Sequence, residues 1–166
     1  MTTTTLWDLL EKILLNGKVL AVIAAAIAAI LPGIGSAKAV GSVGESLDGL
    51  LSEDPDKFGK GFLLQALPAT QGIYGLIIAF MIYLQLGSVE EATFAMGLYF
   101  IGAALPIAVC GYYSAVRQGR VACAGIATVA KRPEASGKCV IATAMVELYA
   151  LLALLISFLL VVFNPF

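Results

Sequence analysis

Four long apolar runs, roughly residues 18–43, 61–86, 93–117 and 139–163, leave this chain little choice of solvent. A bilayer's hydrocarbon core is about 30 Å thick and takes about 20 apolar residues per helix, so each run is long enough to span it. Backbone N–H and C=O groups in lipid must pair within their own segment, so each run is expected to be helical. The rest of the composition agrees. Hydrophobic residues make up 60% and charged residues 13% of the chain, with a mean hydropathy of +0.96. A soluble domain with about 25% charge has a polar surface that this chain cannot supply. The expected fold class is an all-α membrane protein of four transmembrane helices.

Composition also removes several function classes. The formal net charge is −1 and histidine is absent, so there is no basic field for nucleic acid and no imidazole for metal binding or proton shuttling. Cys110, Cys123 and Cys139 lie far apart and read as small residues in helix contacts, not as a disulfide framework or zinc site. Residues 1–17 form an N-terminal lead-in. Asp8 and Glu11 stand where a secretory signal would carry positive charge. Residues 6–15 read as a short interfacial helix, with Trp7 near the headgroups.

The connections set an orientation. The turn at 87–92 carries Glu90 and Glu91 but no Lys or Arg, whereas Lys38, Lys57 and Lys60 flank the connection 44–60. Arg117, Arg120, Lys131, Arg132 and Lys138 flank the connection 119–138. The positive-inside rule places both long connections in the cytoplasm, and both termini and the 87–92 turn outside. The helices have room to continue into the long connections beyond the membrane.

A shift of 78 residues superposes the chain on itself without a gap. Gly33, Ser36, Ala37 and Gly41 fall on Gly111, Ser114, Ala115 and Gly119, and Pro55, Gly59 and Lys60 fall on Pro133, Gly137 and Lys138. Coincidence among Gly, Pro and Lys in one register is far rarer than among Ala and Leu. The chain therefore reads as two tandem helical hairpins, 18–86 and 87–166, in parallel topology. The repeat exposes one difference: Glu147 falls on Ala69. Two equivalent hairpins share one ionisable group.

Glu147 lies about 12 Å past Cys139 along its helix, well inside the hydrocarbon. A carboxylate there costs at least about 2.5 kcal/mol, so it is expected to carry a proton or a cation for most of its life. A neutral Glu that merely ties two helices gains only about 0.6 kcal/mol, too little to offset its placement. In the second run Leu67, Thr70, Gln71 and Tyr74 stand at i, i+3, i+4 and i+7, on one helical face. Pro68 has no N–H and leaves the carbonyl of Leu64 without its usual partner, so the helix can bend there. Distorted backbone beside neutral side-chain oxygens suits a dehydrated hard cation. Polar glue and a packing kink would use the same residues. Gln118, beside Arg117 at the close of the third run, reads equally well as an interfacial polar residue. The first and third runs are rich in Ala, Gly and Ser, which let backbones approach closely. Placed inside, with the bulkier second and fourth helices outside, they would suit a ring or a compact monomer.

The stretches GIGSAKAVG, LPATQGIYG, VRQGRVACAGI and MVELYA, in that order and spacing, resemble the proteolipid (K or c) subunit of V-type ATPases in its duplicated four-helix bacterial form. The resemblance covers roughly residues 18–163. It implies a ring of identical subunits in the membrane, turned by central-stalk subunits and facing a stator membrane subunit that bears an Arg. It further implies an ion site of Glu147, Thr70, Gln71, the Leu67 carbonyl and Gln118, with Tyr74 hydrogen-bonded to the carboxylate. The ion expected is Na⁺, with H⁺ as the alternative, since H⁺ leaves Thr70 and both glutamines without a purpose. Ala69 departs from the Gly of the family's LPGTQG pattern, and its methyl group could tighten the site. The resemblance also implies that ATP chemistry belongs to other subunits, and no GxxxxGK[ST] phosphate loop is present here. Two rivals from other classes are a small proton-coupled exporter and a structural tetraspan scaffold.

Overall fold

The computed structural model describes residues 5–7, 12–13 and 15–166. Of the expected interfacial lead-in, Leu6, Trp7, Lys12 and Ile13 are helical and exposed. Residues 8–11 and 14 lie outside the described residues.

Four helices follow, each long and apolar enough to cross a membrane: α1 (Gly17–Glu53), α2 (Pro55–Gly87), α3 (Phe94–Lys131) and α4 (Pro133–Val162). The starts of α1 and α3 are capped by side chains. Asn16 Oδ1 accepts from the amides of Lys18 and Val19, and Thr93 Oγ1 accepts from the amide of Met96. The start of α1, the turn between α2 and α3, and the end of α4 lie at one end of the bundle. There the Gln85 side chain donates to the carbonyl of Val161, and the Tyr99 hydroxyl to that of Leu160.

The two long connections are not loops. α1 and α3 run through most of 44–60 and 119–138, and each hairpin turns on a single non-helical residue, Asp54 or Arg132. A proline-led 3₁₀ turn then starts the next helix, Pro55–Lys57 in one hairpin and Pro133–Ala135 in the other. Charge ends the apolar runs at 43 and 117 but does not end the helical seam. Val43, Leu47 and Leu50 continue the buried face of α1, and Ala122, Ile126 and Val129 that of α3, while Glu45, Asp48, Arg120 and Lys131 lie outside that face. That spacing is helical, so the amphipathic helix outlasts the membrane stretch. At about 1.5 Å per residue, the 37 residues of α1 reach about 25 Å beyond a 30 Å hydrocarbon core.

α1 and α3 form the central pair, with α2 laid against α1 and α4 against α3. Small residues make these approaches possible. A methyl group on Gly119 would stand 2.7 Å from the Cβ of Ala39. One on Gly75 would strike the carbonyl oxygen of Ala28 and the ring of Pro32. Bulky side chains instead face outward from α2 and α4, among them Ile73, Leu76, Phe80, Leu148, Leu152 and Leu155. Within the bundle α2 and α4 flank the small-residue pair α1 and α3, which also exposes bulky side chains such as Val22, Ile30, Leu98 and Tyr113. The close packing occupies the middle of the bundle, where an exporter needs a path.

Candidate ion-binding site

The site begins with a break in α2. Pro68 cannot donate to the helix ladder, and around it the chain tightens into a 3₁₀ turn, Leu67–Ala69. The α-helix resumes at Thr70. Thr70 turns its hydroxyl back onto the Leu67 carbonyl at 2.9 Å, and that carbonyl also accepts the Thr70 amide. The next residue, Gln71, points into the bundle and is fully buried.

α3 brings Ser114 and Gln118, one helical turn apart, to the same place, and α4 brings Thr143, Val146 and Glu147. The Tyr74 hydroxyl donates to Glu147 Oε1 at 2.5 Å. Gln118 Nε2 donates to the Thr143 carbonyl at 3.2 Å and to Glu147 Oε2 at 3.4 Å. Gln71 Nε2 donates to Gln118 Oε1 at 2.5 Å and to Ser114 Oγ at 3.4 Å. Ser114 Oγ donates in turn to the Val146 carbonyl at 2.9 Å. Three helices thus share one polar network in an apolar bundle, and it ends on the half-buried Glu147.

Donor chemistry fixes the direction of this network. The Thr143 carbonyl can only accept, so the amide nitrogen of Gln118 must face it and the amide oxygen must face Gln71. Gln71 spends its nitrogen on Gln118 and Ser114. Its own oxygen is buried and is the single buried side-chain polar atom without a hydrogen-bond partner among the described residues. An acceptor oxygen left so costs about 1–3 kcal/mol. A cation removes that cost, because it needs an oxygen that no donor occupies. Glu147 is the one acid that this network joins, and no group of three His, Cys, Asp or Glu converges among the described residues. One negative charge with neutral oxygens matches a monovalent cation better than a divalent one.

Of the six residues singled out in the sequence, the structure joins Glu147, Tyr74, Gln118 and Gln71 directly. Leu67 and Thr70 sit on the same α2 turn but bond to each other, and among the described residues neither makes a hydrogen bond to Glu147. Gln118 is not at the close of a helix. α3 runs on to Lys131, and Gln118 is fully buried between helices. The structure adds Ser114 and the carbonyls of Thr143 and Val146, which the sequence pattern does not single out. The one signal for Ser114 is its match to Ser36 in the repeat. Backbone carbonyls leave no mark in a sequence.

A family model for the C subunit of ATP synthase matches residues 23–82 and again 101–160. Together these matches cover most of the chain. This chain belongs to the family of ATP synthase C subunits. The two matches are offset by 78 residues, the register of the internal repeat, so each hairpin is one family unit. The V-type sodium ATPase subunit K of Enterococcus hirae is 52% identical over 146 residues, 88% of this chain and 92% of that protein. The A-type ATP synthase subunit K of Methanocaldococcus jannaschii is 37% identical over 145 residues, 87% of this chain and 62% of that protein. As a member of this family with four spanning helices, the chain is a multi-pass membrane protein.

Proposed function

We propose that this chain is an ion-carrying subunit of the membrane rotor ring of a V-type rotary ATPase, and that it binds Na⁺ at Glu147. It is a non-catalytic subunit, with ATP hydrolysed elsewhere in the complex. Beyond family membership, the observation that carries the Na⁺ reading is the buried, unpartnered oxygen of Gln71 in a network that ends on one carboxylate. The similarity to a sodium ATPase subunit supports the same ion.

Na⁺ neutralises Glu147 and takes the Gln71 oxygen, the second lone pair of Gln118 Oε1, and the oxygens of Thr70 and Leu67. Tyr74 holds the carboxylate between loading and release. The loaded site is neutral and crosses the lipid as the ring turns. An Arg on a stator subunit loosens the ion at an aqueous half-channel. Each charge moved against 100 mV costs about 2.3 kcal/mol, which ATP hydrolysis supplies through the central stalk. The hairpin ends at Asp54 and Arg132 face the cytoplasm and the stalk, and the termini and the 87–92 turn face outward.

H⁺ is the second reading, because Glu147 is the one acid in the network and a proton would neutralise it in lipid as Na⁺ does. Carbodiimide labelling separates the two. Glu147 is expected to react, Glu147→Gln to abolish the reaction and ATP-driven transport, and Na⁺ at fixed pH to slow labelling of the unsubstituted protein. Labelling unaffected by Na⁺ would transfer the site to protons.

A further inference from the structure

The 78-residue repeat leaves each hairpin one equivalent buried serine, Ser36 on α1 and Ser114 on α3. Repeat-equivalent residues of two hairpins ordinarily face equivalent neighbours. These two converge on adjacent residues of a single turn of α2. Ser36 Oγ accepts the amide of Gly72 at 2.9 Å, and Ser114 Oγ accepts the side-chain nitrogen of Gln71.

The physical reason lies in the break at Pro68. A helix that resumes at Thr70 has a new first turn, and the amides of a first turn lack intrahelical acceptors. Gly72 belongs to that turn. Ser36 therefore acts as an N-cap supplied from a neighbouring helix, and it ties the restarted backbone to α1. Ser114 performs a different task. Its hydroxyl proton is spent on the Val146 carbonyl, so it offers Gln71 only lone pairs. Gln71 can present nitrogen to it but not oxygen. That excludes the flipped carboxamide, which would aim N–H groups at a cation.

We propose that Ser36 and Ser114 are positioning residues for the ion site: Ser36 fixes the backbone of the restarted α2 turn, and Ser114, together with Gln118 Oε1, fixes which end of the Gln71 carboxamide is free. This rests on the Na⁺ reading of the site. Neither serine is a ligand in it. Loss of either hydroxyl lowers Na⁺ affinity and leaves the chemistry of Glu147 in place.

The test uses the purified membrane assembly and measures the Na⁺ concentration that halves carbodiimide labelling of Glu147. Ser36→Ala and Ser114→Ala are each expected to raise it at least about fivefold, the factor for one ordinary buried hydrogen bond. The pH profile of labelling without Na⁺ stays unchanged, because Tyr74 and Gln118 still hold the carboxylate. Ser157→Ala is the control. This buried serine accepts the amide of Ile107 and lies ten residues, about 15 Å, along α4 from Glu147. It loses a comparable bond with no change in Na⁺ protection. Ser114→Thr, which keeps the hydroxyl, restores part of the loss. If the unsubstituted protein shows Na⁺ protection and the two serine variants match it, the positioning role is overturned and the Na⁺ reading stands. An equal loss in Ser157→Ala would overturn it too, as a general loosening of the bundle. If the unsubstituted protein shows no protection, both readings fall.

Discussion

At the scale of single residues, the site depends on which polar atoms are occupied and which are free. The Tyr74 hydroxyl donates a hydrogen bond to Glu147, a bond to an ionisable group worth about 1.5–3 kcal/mol. Tyr74→Phe keeps the ring and removes that bond. It is expected to weaken Na⁺ binding by about tenfold or more, read by direct binding of radioactive Na⁺ to the purified protein. An unchanged affinity would mean that the phenol only fills space. Glu147, Gln71 and Tyr74 are legible in the sequence because an acid and a polar stripe are conspicuous against hydrocarbon. The direction of each amide is not legible. It follows from which neighbour can only accept, and those neighbours include the carbonyls of Thr143 and Val146, which belong to the fold and to no side-chain pattern. Thr70 and Leu67 show the converse. Their spacing puts them on the site face, and the structure adds that the Thr70 hydroxyl is bound to the Leu67 carbonyl, so ion binding by both requires that bond to give way.

At the scale of elements, α2 matters most. It is the helix with a proline-induced restart inside the bundle, and the restart supplies the turn that the site is built on. α2 is held to α1 by close approach at Gly75, where any side chain would strike the Ala28 carbonyl and Pro32. Gly75→Val is expected to destabilise the protein by at least about 1–3 kcal/mol through overpacking. Gly87→Val, where a Cβ meets open space, is expected to be far milder. Thermal unfolding in detergent compares the two, and equal midpoints would show that the α1–α2 contact is not tight. Small-residue helices are visible in the sequence, but their partners are not. A stripe of Ala and Gly on α1 permits close approach by any neighbour, and only the packed bundle assigns Gly119 to Ala39 and Gly75 to Ala28.

At the scale of the whole molecule, the fold is two copies of one hairpin, each turning on a single non-helical residue before a proline-led 3₁₀ turn. Lys57 closes the base of the bundle. It donates to the Ala130 carbonyl at 2.8 Å and pairs with Asp54 at 3.1 Å. The sidedness proposed from charge is testable directly. A cysteine placed at Glu90 is expected to react with an impermeant maleimide from outside intact cells, and one at Lys131 only in inverted vesicles. The reverse pattern would invert the orientation and move the stalk contact to the other end.

The number of spans, the tandem repeat and the single carboxylate were determined by the sequence alone. Each is a matter of counting: apolar length against bilayer thickness, identity at a fixed shift, one charge in hydrocarbon. The tertiary structure decided where the helices end, because a helix stops where its buried face stops and not where charge first appears on the opposite side. It also decided which oxygen remains free for an ion. That depends on how three helices distribute their donors, and a linear pattern carries no record of it.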